Sequence, residues 1–246
     1  AFHFSISILL SEKHIKKFGI LAVRNIINVF IEHLKTLYGL EFMIYNVHLL
    51  SHICDDVDFF GALDNFSAFP FENYLGQIKL LVKSPTNPLQ QIHRRLVERG
   101  LIISNNYQFN GVKLTLEHSA GPLIICNQNV KWQKQFSKIH LKDTTFSVVS
   151  HSKADSYCLT SAGNKIIEIH NILVTTDNEI FLIGKEFLSN SNLYVYPYPS
   201  SELNIFVVKD LSELKAWPIT EICGKCIVLP FKKECCVAMP IINCLT

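Results

Sequence analysis

Near Gly100 the hydrophobic pattern of the chain changes period, and this limits the possible folds more than any other feature. Before it, in SEKHIKKFGILAVRNIINVFIEHLKTLYG, the apolar residues Phe18, Leu21, Ile27, Phe30, Ile31, Leu34, Leu37 and Tyr38 recur mostly three and four apart. That spacing gives a helix one apolar face. After it, DSYCLTSAGNKIIEIHNILVTTDNEIFLIGKEF alternates, is rich in Ile, Val, Phe and Thr, and is cut by SAGN and TTDNE, which predicts strands joined by turns. NLYVYPYPSSELNIFVV and KCIVLPFKKECCVAMPII continue in the same style. The expected class is α+β: helices over residues 1–100, a connector over 101–136, and a β-rich region over 137–246. Short, regularly spaced strands suggest a small antiparallel barrel-like domain of SH3-like size. Two earlier strands are candidates within the connector, VKLTLEH and PLIIC.

Four helices are expected. Ser11 is a candidate N-cap for the first and Gly39 its stop. The second runs through YNVHLLSHICDDVDFF and ends at Gly61. The third starts at Pro70, favourable in a first helical turn, and ends near Lys83. In the fourth, Asn87 caps the start, Pro88 lies in the first turn and Gly100 marks the end.

Composition narrows the class. With 246 residues, 48% of them hydrophobic and 18% charged, the chain can build a real core and is no disordered tail. A net charge of +2 gives no chain-wide signature for polyanions, so nucleic-acid contact must come from local basic patches. AFHFSISILL has no basic flank before it and no small-residue cleavage site after it. It is expected to be a core element and not a signal peptide. Arg24, Asn25 and Asn28 interrupt FGILAVRNIINVFIEHL, which argues against a membrane span. The expectation is a soluble piece of a longer protein. Eight cysteines without a secretory signal point to reduced thiols in the cytosol or nucleus, most of them buried as small hydrophobes.

His48 and His52 stand four apart, which on a helix puts both imidazoles on one face within reach of one metal ion. The same spacing suits two polar residues on an amphipathic helix. HLLSH lacks the glutamate of a zinc-protease HExxH motif. Asp55, Asp56, Asp58 and Asp64 follow and read as a solvated acidic face. Glu72, in AFPFENYLG, is unlike them. It lies among Phe and Tyr rings at a helix N-terminus, where the helix dipole favours an anion. It is either an ordinary first-turn glutamate or a carboxylate held for a cation.

The segment Asn46–Glu98, with its histidine pair, its PFENYLGQIK helix and the basic helix after it, resembles CACTA-type (EnSpm-like) DNA transposases and transposon-derived proteins. It is also similar in arrangement to the catalytic subunit of the V(D)J recombinase. The resemblance is strong over about 50 residues. It implies that residues 1–100 end an RNase H-like D-D-E catalytic domain, with Glu72 as the third catalytic acid, 20 residues beyond His52. His48 and His52 would contribute to a structural Zn2+ site. Mg2+ or Mn2+, held by Glu72 and two upstream acids, would serve strand cleavage and transfer. The first two acids and a Cys pair for the zinc would precede Ala1. DNA, a homo-oligomeric assembly and the nucleus follow as partners and location, with no membrane. The other reading is a catalytically inactive, transposon-derived binding module for DNA, chromatin or protein.

Lys79, Lys83, Arg94, Arg95 and Arg99 are either a solvated basic face or contacts to DNA phosphates. In the second half CGKC, Cys223 to Cys226, has metal-ligand spacing, but Cys226 opens an expected strand and no second well-formed pair follows. TSAGNK lacks the spacing of a phosphate loop. His151 and His170 read as turn or strand histidines.

Overall fold

A computed structural model describes residues 1–103, 112–124, 132–141, 144–161 and 165–241, the side chains of 99–103 excepted. The class is α+β, with seven α-helices and a nine-stranded antiparallel sheet among these residues. The chain forms two compact units, Ile8–Asn110 and Ala1–Ser7 joined to Gly111–Thr246. No described helix is long and apolar enough to cross a membrane.

The helices are more broken than their periodicity suggests. AFHFSISILL forms α1 (Phe2–Leu9), with Phe4, Ile8 and Leu9 buried. The expected first helix is two, α2 (Glu12–Phe18) and α3 (Ile20–Tyr38). They part at Gly19, whose φ of 79° and ψ of 143° leave the helical region in a way glycine tolerates best. Gly39, at φ 84°, stops α3, its N–H donating to the Lys35 carbonyl at 3.0 Å. The expected second helix is also two, α4 (Tyr45–Leu49) and α5 (Ile53–Phe60), with a turn at residues 50–52 between them. The third is α6 (Phe69–Leu81). The fourth, α7 (Pro88–Ile103), runs past Gly100 and does not end there. A glycine inside a helix costs about 1 kcal/mol, and here it does not break the helix. Burial is sparse: α3 buries Val23 and Ile27, α5 Cys54 and Val57, and α6 only Leu81.

The strands are β1 (Val112–His118), β2 (Trp132–Leu141), β3 (Thr144–Ser147), β4 (Tyr157–Thr160), β5 (Ile166–Thr175), β6 (Ile180–Asn192), β7 (Phe206–Pro218), β8 (Ile222–Lys232) and β9 (Cys235–Pro240). VKLTLEH is thus a strand, whereas Pro122–Ile124 of PLIIC is not, and the rest of that stretch lies outside the described residues. The sheet therefore starts well before residue 137. Its order is β1-β2-β5-β4-β8-β9-β7-β6, with β3 on β2 and a further pairing of β5 with β6. All pairs are antiparallel. As a whole this is no closed barrel of SH3-like size, which corrects the sequence expectation. β1 runs along one edge of β2, while β3, opposite residues 138–141, and β5, opposite residues 132–136, share the other edge, so the three-stranded ribbon β1–β2–β3 joins the remaining strands through β5.

Alternation along β4 and β5 divides the interior in two, because successive side chains in a strand point to opposite faces. Cys158 and Ile167 join Ile139, Phe146, Val148, Ile169, Ile172, Leu182 and Trp217 in one core. Their neighbours Tyr157, Leu159 and Ile166 join Phe206, Val208, Cys226 and Ala238 in the other. Strands covered on both faces need near-continuous apolar runs, as IIEIHNILVT supplies. Close packing also explains Gly184 in β6. A Cβ there would run into the Glu168 carbonyl oxygen and, at 2.7 Å, the Ile167 Cγ2.

Candidate functional site

The break between α4 and α5 shapes the histidine pair. His48 lies in the last turn of α4, and His52 immediately precedes α5. Across the turn the two Nε2 atoms approach to 3.4 Å, with ring centroids 5.1 Å apart and the rings nearly perpendicular. Two nitrogens each about 2.0–2.1 Å from one tetrahedral zinc ion lie about 3.3–3.4 Å apart. The observed separation matches that geometry. It equally allows one neutral imidazole to donate to the other. Both rings are exposed, so an ion could reach them.

Behind the pair stands a partner that the sequence did not single out. Asp55 Oδ2 lies 3.7 Å from His52 Nδ1, and Asp55 Oδ1 is 2.7 Å from the Arg24 guanidinium of α3. The hydrogen bond from Arg24 holds the Asp55 carboxyl below its ordinary range. A carboxylate on the far nitrogen is the usual device for orienting a metal-binding imidazole. The acidic face is therefore not wholly solvated, since one of its members is tied to α3.

Glu72 lies in the first turn of α6 and is exposed. So are the rings around it: Phe69 at 74%, Phe71 at 72% and Tyr74 at 52%. The apolar enclosure that its sequence context suggests does not form. Among the described residues Glu72 makes no side-chain hydrogen bond or ion pair, and no group of three or more His, Cys, Asp or Glu is placed to hold a metal.

The basic residues sit on the α6–α7 hairpin. Gln91 clamps its turn: Oε1 accepts from the backbone N–H of Lys83 at 2.9 Å, while Nε2 donates to the Thr86 and Ser84 carbonyls at 2.6 and 3.0 Å. Lys79, Lys83 and Arg94 are exposed and Arg95 is half-buried. Arg94 is paired with Glu98 at 3.0 Å. The Arg99 side chain lies outside the described residues.

In the strand unit the candidates are structural. Burial pushes the Cys226 thiol up to about 12 and the Cys158 thiol well above its usual range; such thiols are poor metal ligands and nucleophiles. His170 lies on β5 and contacts Glu168 Oε1 through Nε2 at 2.8 Å, while the Tyr157 hydroxyl donates to Glu168 Oε2 at 2.9 Å. His151 lies in a turn. Residues 162–164, half of TSAGNK, lie outside the described residues.

A family model described as "Domain of unknown function (DUF8592)" matches residues 117–241, just over half of the chain. The chain belongs to this family. The DUF8592 segment runs from the end of β1 through β9, and so defines the strand unit. His48, His52, Glu72, Lys79, Lys83, Arg94, Arg95 and Arg99 all precede it. No curated protein and no solved structure matches the chain.

Proposed function

We propose that the helical unit is the closing part of the RNase H-like D-D-E catalytic domain of a CACTA-like DNA transposase, with the DUF8592 unit as its accessory domain. The observation that carries this reading is the 3.4 Å convergence of His48 and His52 Nε2, at the spacing of two zinc ligands and with Asp55 behind one ring. His48 and His52 would hold half of a structural Zn2+ site. Glu72 is accessible and unpaired, as a carboxylate must be if it is to bind a cation brought in by other parts of a catalytic domain. Mg2+ or Mn2+ bound there supplies charge stabilisation for phosphoryl transfer. The chain's own contributions are a negative charge at the start of α6 and cations on the hairpin beyond it. Lys79, Lys83, Arg94, Arg95 and Arg99 would hold DNA by its phosphates. DNA substrate, a homo-oligomeric assembly and nuclear location belong to the same proposal.

A second reading, a catalytically inactive binding module derived from such an element, is favoured by one observation: Glu72 belongs to no group of three or more His, Cys, Asp or Glu placed to hold a metal among the described residues. The complete protein separates the two. Glu72→Gln keeps the volume and polarity of the side chain and removes its charge. In the transposase it should cut strand cleavage and joining by orders of magnitude and leave DNA binding nearly unchanged. Cleavage at the normal rate in that variant would reject the catalytic role. A protein that binds DNA and never cleaves it would favour the module.

A further inference from the structure

We propose that the outer face of the β1–β2–β3 ribbon docks the phosphate backbone of a duplex nucleic acid. The strand register builds the surface. Lys113 pairs with His140, which pairs with Thr145; Thr115 pairs with Lys138, which pairs with Ser147. Directly opposed residues share a face, so these six form two parallel rows across three strands. Ser147 is buried at its end of the second row, its hydroxyl donating to the Ser137 carbonyl at 3.2 Å, and the accessible surface is made by Lys113, Thr115, Lys138, His140 and Thr145. Leu114, Ile139 and Phe146, one position along, take the other face and pack into the core. Neighbouring strands lie about 4.8 Å apart and alternate residues about 6.8 Å. The cations are thus spread over a flat area and do not converge in a cavity.

The charge of this face is not cancelled. Lys113 and Lys138 form no ion pair with a described carboxylate, whereas Lys134, further along β2, is paired with Glu117 at 3.3 Å. The carboxylate that Lys138 senses is Asp155, which is already engaged by Lys225 and by the Ser152 hydroxyl at 2.9 Å. Between the lysines, His140 contacts the Thr145 hydroxyl through Nδ1 at 2.8 Å. This leaves Nε2 for an incoming acceptor. Desolvation, then Lys138 and Lys113, hold the His140 imidazole below its ordinary pKa, so a phosphate oxygen would relieve a repulsion already present.

Duplex is the form that fits. Neither row carries Phe, Tyr or Trp for the base stacking that holds single strands. Neither has an apolar side chain to enter a bilayer. The inference concerns the DUF8592 unit and does not rest on the transposase reading, whose cations lie on α6 and α7.

The test is anisotropy of a labelled DNA duplex titrated with the full chain, in a background of Lys79→Gln, Lys83→Gln, Arg94→Gln, Arg95→Gln and Arg99→Gln that silences the hairpin. Binding should persist there. Adding Lys113→Gln and Lys138→Gln should raise Kd at least about tenfold and reduce the slope of log K against log salt by about two. Lys113→Arg with Lys138→Arg should restore both. Affinity should rise as pH falls from about 7.5 to about 5.5, because bound phosphate favours the imidazolium, and His140→Gln should abolish that rise. The proposal is overturned if the background variant does not bind, if the Gln pair leaves slope and Kd unchanged, or if Lys→Arg is as damaging as Lys→Gln. Stronger competition by single strands, phosphopeptides or anionic vesicles would also overturn it. Failure of the Glu72→Gln test would leave it standing.

Discussion

In the strand unit Ile167, Ile169, Ile172 and Leu182 are fully buried, whereas in the helical unit Phe59, Phe69 and Phe71 stand 82%, 74% and 72% exposed. The first unit covers both faces of its central strands with its own side chains. The second leaves large aromatic residues in the open, joined by Leu75 at 62% and Leu80 at 70%. Singly exposed apolar residues are ordinary, but here several large ones lie along one short helix. Helix α6 is that helix, and it carries Glu72. The comparison assigns the closely packed core to the strands and the large exposed apolar side chains to the helices.

The sharpest way to break the comparison is to make like truncations in both units. Ile172→Ala should destabilise the strand unit by about 2–5 kcal/mol. Phe71→Ala should change the helical unit by no more than about 0.5 kcal/mol. Both tryptophans, Trp132 and Trp217, lie on strands. Their fluorescence in urea therefore reports the strand unit alone, while far-ultraviolet circular dichroism follows the helices. Equal losses would erase the distinction.

Gly184→Ala should come next, at about 1–3 kcal/mol, because the added methyl meets the Glu168 backbone and Ile167 in a region that cannot yield. An unchanged urea midpoint would show that β6 can shift.

Glu186 should have a smaller, pH-dependent effect. Lys215 Nζ lies 2.6 Å from its Oε1 and Lys165 Nζ 3.0 Å from its Oε2. Hydrogen bonds from Lys215 and then Lys165 outweigh burial and hold its carboxyl below the usual range. A lowered folded-state pKa gives stability that is full above the unfolded value, about 4.3 for glutamate, and is lost as pH falls through the folded value. Glu186→Gln should therefore cost about 1–2 kcal/mol at neutral pH and flatten the acid limb of the stability curve. An acid limb as steep as the wild type's would remove Glu186 from this role. A small effect is also expected at Glu72. In this chain alone Glu72→Gln should be neutral within about 1 kcal/mol; unfolding would reveal a structural partner that the exposed side chain does not show.

Period and turn residues made the helix-to-strand switch legible, along with the glycine stops at Gly39 and Gly61 and the strand nature of VKLTLEH. The break at residues 50–52 was not legible, because YNVHLLSHICDDVDFF keeps helical spacing across it and contains no glycine or proline. Gly19 was visible, but an isolated glycine is often tolerated within a helix, as Gly100 is in α7. The sheet's size was hidden because pairings such as β4 with β8 depend on residues distant in sequence, and no local pattern encodes them. At the candidate site the spacing of His48 and His52 pointed to one face, although the rings meet across a turn and not along a helix. Arg24 and Asp55 were missed since their contact joins α3 to α5. The burial expected around Glu72 rested on neighbouring rings, and adjacent residues on a helix need not face one another.

The central functional claim is that α4 and α5 present two imidazole nitrogens to one ion. It is tested most directly by titrating Zn2+ into the chain while following the imidazole proton resonances by NMR. The resonances of His48 and His52 should move together, at lower zinc than those of the other eight histidines. His48→Ala should abolish the response of His52 at that concentration, because a single exposed imidazole is a weak ligand. If His52 still responds normally without His48, or if the two move independently, the pair is not a shared metal half-site and the reading built on it fails.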